Sequence, residues 1–107
     1  MAEWKVVARV GDVKAGDVIA VAVGEVEMVL GLDGDRYFAT QRRCAHRGGD
    51  LADGIVSRGC VICPQHGWRF STATGLAPES SEYRLVTYPV RVVGDQIEVD
   101  PTPQAVA

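Results

Sequence analysis

Cys44-Ala45-His46 and Cys63-Pro64-Gln65-His66 constrain this chain more than any other feature. Each segment offers one thiol and one imidazole, and sixteen residues separate them. Together they use both histidines of the protein and two of its three cysteines. Thiolate and imidazole are the protein's ligands for zinc, iron and copper. A chain that places its whole supply of imidazole in two short loops is expected to fold them together around metal. Gly48, Gly49 and Gly67 follow the segments closely, so backbone N–H groups can approach a bound group with no side chain in the way.

The rest of the chain is read for what can carry such a pair of loops. At 107 residues it is expected to form one domain spanning 1–107. Charged residues make up 23% and the net charge is −3, with Lys and Arg scattered and outnumbered, which argues against nucleic acid as a partner. Met1 to Lys5 shows no basic-then-apolar leader, and the longest apolar run, Val18 to Val23, is too short to span a bilayer. Three cysteines do not make a secreted disulfide framework, so a cytoplasmic protein without a membrane partner is expected.

The flanks carry the rhythm of strands. Trp4 to Val10 alternates apolar and polar residues with period two. Val13 to Asp17 reads as a turn before Val18 to Val23. Val26 to Leu32 and Arg36 to Thr40 flank Asp33-Gly34, a hairpin signal, and Leu85 to Val93 and Gln96 to Val99 flank Gly94-Asp95. Gly and Pro interrupt nearly every long window, so helix is not expected. The fold class is all-β: an antiparallel β-sandwich base with a loop-rich subdomain inserted at about 42–78. The stretch 101–107, with two prolines and little to bury, is expected to fray.

Two cysteines and two histidines also make a tetrahedral zinc site, which would mean a zinc-stabilised interaction module. The order argues against it, because zinc fingers run Cys-x-x-Cys and then His-x-His, whereas each loop here is mixed. Cys60-Val61-Ile62-Cys63 offers a Cys-x-x-Cys pair, but Cys60 sits in an apolar stretch and is read as a small buried hydrophobe. The span from Cys44 to Gly75 resembles the Rieske ferredoxin family. Cys63-Pro64-Gln65-His66-Gly67-Trp68-Arg69-Phe70 is close to that family's second-loop signature. The resemblance implies a Rieske-type [2Fe–2S] cluster in which Cys44 and Cys63 hold one iron and His46 and His66 hold the other. Pro78 would then belong to a third loop covering the cluster, or be a simple turn proline.

Departures from the family pattern bear on potential. High-potential respiratory members carry an extra cysteine in each loop, joined as a disulfide, where Gly49 and Gln65 stand here. They also place a serine and a tyrosine where this chain has Trp68 and Phe70, which have no hydroxyl to donate to sulfur. Fewer donors leave more charge on the sulfurs and disfavour an incoming electron. The resemblance therefore implies the low end of the Rieske range, about −150 mV.

With both histidines committed, none remains for the two-histidine, one-carboxylate iron site of an oxygenase. No Gly-x-Gly-x-x-Gly fingerprint is present either. No catalytic residue is therefore assigned, and one-electron transfer is what remains. By resemblance the chain would be a monomeric ferredoxin carrying electrons from a ferredoxin reductase to the terminal oxygenase of a ring-hydroxylating dioxygenase or similar monooxygenase system. The small Rieske-like subunit of an assimilatory NAD(P)H nitrite reductase is the alternative. Arg47 and Gln65 are expected to shape docking, and Trp68 to serve the core. Asp50, Asp53, Glu79 and Glu82 suggest basic patches on the partners.

Overall fold

The computed structural model describes residues 3–44, 49–64, 67–78 and 80–104, with the side chains of 80–82 excepted. Among them the strands are β1 (Lys5–Arg9), β2 (Val18–Val23), β3 (Val26–Asp33), β4 (Arg36–Gln41), β5 (Ile55–Ser57), β6 (Cys60–Ile62), β7 (Arg69–Ser71), β8 (Leu76–Ala77), β9 (Ser80–Arg84), β10 (Thr87–Tyr88), β11 (Val90–Val93) and β12 (Gln96–Val99). One 3₁₀ turn, Leu51–Asp53, is the single helical element among the described residues.

Two antiparallel sheets form the base, one ordered β1-β12-β11 and one ordered β10-β4-β3-β2. Ala8, Val13, Met28, Leu30, Ala39, Ile97 and Val99 pack into one cluster there. β3 is buried on both faces: Met28 and Leu30 point into that cluster, while Val29 joins a second one with Val18 and Phe38. Its run Met28-Val29-Leu30 is therefore continuously apolar rather than alternating, as a strand between two layers must be. Burying each of these side chains contributes roughly 1.5–3 kcal/mol.

The second layer is an inserted lobe. The chain leaves the base at the end of β4 and returns at β10, and these strands pair directly, Thr40 with Thr87 and Ala39 with Tyr88. The Gln41 amide also donates to the Val86 carbonyl at 2.9 Å. Everything from 42 to 86 is thus an excursion between two neighbouring strands. It contains a three-stranded sheet, β5-β6-β7, and the small β8-β9 pair, so the stretch read as loop-rich has strands of its own. Val56, Val61, Phe70, Ala77 and Leu85 of the lobe pack with Val18, Val29 and Phe38 of the base in one core. At the far end, Thr72 donates to Asp33 Oδ2 at 2.9 Å and accepts from Arg36, tying the lobe to the β3-β4 turn.

One expected strand is divided. Leu85 to Val93 reads as continuous, but Leu85 bonds back to Gly75 in the lobe, and Pro89 separates β10 in one sheet from β11 in the other. Proline has no N–H for a ladder, so the chain changes sheets at that residue. The stretch expected to fray is bonded as far as Gln104, whose amide donates to the Thr87 carbonyl at 2.8 Å.

Candidate metal centre

The two candidate ligand loops are closed in the same way. The Cys44 amide donates to the Gly49 carbonyl at 2.7 Å, and the Cys63 amide donates to the Trp68 carbonyl at 2.8 Å. In each loop the N–H of the cysteine is bonded to a carbonyl five residues ahead. Cys44 and Cys63 lie at 4% and 1% exposure and share one packed cluster with Leu51, Val61 and Phe70. Two thiols facing one apolar core, at the necks of two matching loops, suit an iron–sulfur group shielded from water on its inner side. His46 and His66 lie outside the described residues, as do Arg47, Gly48, Gln65 and Glu79.

Different scaffolds hold the two loops. The second continues the β6-β7 hairpin, in which Ile62 pairs with Arg69 immediately before Cys63. The Trp68 ring stacks near Phe70, with centroids 6.4 Å apart, and meets Tyr83 edge-on at 5.1 Å. Trp68 is thus part of the packing that holds this loop, and Phe70 is fully buried. Gly67 has φ of +68°, the left-handed region that glycine enters without cost.

The first loop has a single bridge pair at its neck, Arg43 with Asp50. Arg42 Nε and Nη2 reach both oxygens of Asp50 at 3.1 and 2.9 Å, and Nη1 reaches Glu27 on β3 at 2.9 Å. The guanidinium bonds hold the Asp50 carboxyl below its usual range, helped by the Ala52 amide, and Asp50 in turn raises Arg42. Gln41 adds two bonds, donating to the Arg43 carbonyl and accepting from the Val86 amide. None of Gln41, Arg42 and Asp50 stood out in the sequence as support for a metal loop. Their signal is only that charged and amide side chains flank the first cysteine.

Cys60 stands apart from the other two cysteines. It belongs to neither core cluster and is half-buried rather than buried. It opens β6, whose last residue, Ile62, precedes Cys63. Its partial exposure corrects its reading as a buried hydrophobe. Pro78 is exposed in the turn between β8 and β9. An open groove of about 740 Å³, lined by residues that include Leu76, Arg84, Val86 and Pro103, is not lined by Cys44 or Cys63.

Residues 3–89 match the family model of the Rieske [2Fe-2S] domain. The chain belongs to that family. It carries a Rieske [2Fe–2S] cluster, and it is an electron carrier rather than a catalytic subunit. The anthranilate 1,2-dioxygenase ferredoxin subunit of Burkholderia cepacia is 31% identical to it over 103 residues, covering 94% of each chain. The solved ferredoxin of carbazole 1,9a-dioxygenase from Nocardioides aromaticivorans superposes with a TM-score of 0.85 at 28% identity, covering 94% of this Rieske chain and 100% of that one. A solved chain described as a putative NADPH nitrite reductase small subunit has a TM-score of 0.82 at 21% identity, covering 91% and 97%, a likeness of fold alone. Among the described residues no helix is long and apolar enough to cross a membrane.

Proposed function

We propose that Cys44 and Cys63 hold one iron of the cluster and His46 and His66 the other. The chain then passes single electrons from a ferredoxin reductase to the terminal oxygenase of a ring-hydroxylating system, as a cytoplasmic monomer. The observation that carries the reading is the pair of matching loops, each closed five residues beyond a buried cysteine. A histidine follows two residues after Cys44 and three after Cys63. Similarity over nearly the whole length of a dioxygenase ferredoxin subunit supports the partner class.

When bound, the cluster supplies a one-electron couple. The chain's own residues do the rest. The shared core around Cys44 and Cys63 keeps water from the thiolate side, and the two loop necks fix the ligand directions. His46 and His66 follow two and three residues after their cysteines in the sequence and would supply the two nitrogen ligands.

The decisive experiment is a stopped-flow reoxidation. The reduced chain, mixed with a ring-hydroxylating terminal oxygenase from its own source, should be reoxidised within the enzyme's turnover time. If only a sirohaem nitrite reductase large subunit accepts its electrons, the nitrite reductase reading replaces this one.

A further inference from the structure

The two ligand loops carry the same kind of ligands, yet the backbone supports them unequally. The second loop grows from a strand pair within a three-stranded sheet and is walled by Trp68, Phe70 and Tyr83. The first leaves β4 and is closed by the Arg43–Asp50 bridge together with the amide bonds of Leu51 to Arg42 and Cys44 to Gly49. A neck this short can swing about its axis unless side chains stop it.

Arg42 is placed to stop it. Its two-pronged grip on Asp50 crosses the neck of the loop, and its third contact, on Glu27, fastens the neck to β3 of the base. Asp50 Oδ1 also accepts from the Ala52 amide at 3.0 Å, which extends the line to the 3₁₀ turn. Leu51 in that turn is fully buried in the same cluster as Cys44. The side chains of Arg42 and Asp50 are 30% and 24% exposed. An ion pair this wet adds little to global stability. Two parallel bonds between planar groups do fix orientation.

We propose that Arg42 is a positioning residue for the cluster: through Asp50 and Glu27 it holds the neck of the first loop, and with it Cys44, in the place where that cysteine would meet the cluster. This rests on the ligand assignment proposed above. Outer partners of metal ligands act on affinity and electronic structure more than on fold.

The test uses holoprotein of the wild type, R42Q, R42K and D50N, with R91Q as a control that breaks the Arg91–Glu98 pair on the far sheet. Thermal unfolding should move little in any of them. The electron paramagnetic resonance g-values of the reduced cluster should shift in R42Q and D50N. Loss of iron to a chelator should run on the order of tenfold faster. R42K keeps the charge but not the fork, so it should resemble R42Q, and R91Q should match the wild type. If R42Q yields no holoprotein, R42K is read in its place. A wild type without a Rieske signal would overturn the ligand assignment itself. A wild type with that signal, and variants with identical g-values and chelation rates, would overturn the role of Arg42 alone.

Discussion

Among the described residues, Arg58 is the one non-glycine at positive φ, at +53°, followed by Gly59 at +77°. The two form the turn between β5 and β6, flanked by the Ser57–Cys60 pair. Two successive left-handed residues are what a tight hairpin of this twist requires, and asparagine tolerates the first position far better than arginine. Arg58 is exposed, so its side chain can be replaced without disturbing a core. R58N should stabilise the protein by about 1 kcal/mol, the relief of one left-handed residue, read from the urea midpoint. An unchanged or lower midpoint would mean that the arginine makes a contact worth as much as the strain.

At the scale of the element, the tightest approach near the second loop falls on a glycine that no motif marks. A Cβ on Gly54 would stand 2.2 Å from the Ile62 carbonyl oxygen and 3.2 Å from that of Leu51. Gly54 has φ of −88°, which any residue adopts, so the demand is for space alone. G54A should therefore push the strand that delivers Cys63, lowering stability by about 2 kcal/mol. Iron per protein should fall with it, measured on freshly purified chain. The sequence was most legible where geometry is local. Val18–Val23 and Gln96–Val99 have the bounds read from the turn signals beside them, and the turns at Gly34 and Gly94 lie within one residue of their expected places. It was least legible in the lobe. Its three-residue strands are too short to show a period, and Arg58-Gly59 lacks the asparagine or aspartate that announces a hairpin. Gly54 and the Arg42–Asp50 clamp depend on which segments meet in space, which spacing along the chain does not encode. The four candidate ligands stand out in the sequence because metal chemistry admits so few residue types, and the structure describes two of them, Cys44 and Cys63, in one core.

For the molecule as a whole, reduction adds a negative charge to a chain whose net charge is already −3. Trp68 is committed to packing against Phe70 and Tyr83, and neither it nor Phe70 carries a hydroxyl to offset that charge at sulfur. Both effects favour the oxidised state. The midpoint potential should lie near the low end of the Rieske range, about −150 mV, by protein-film voltammetry. A value above about 0 mV would reject this account of the cluster's surroundings. The same frame bears on how such proteins diversify. Because the excursion from 42 to 86 departs and returns on adjoining rungs of one ladder, the strand pairing of β2, β3, β4 and β10 does not run through it. The redox lobe is in effect a cassette with a neck one rung wide. Its loops can lengthen or shorten while the register of the platform beneath stays the same, and the core it shares with Val18, Val29 and Phe38 is what ties it to this platform.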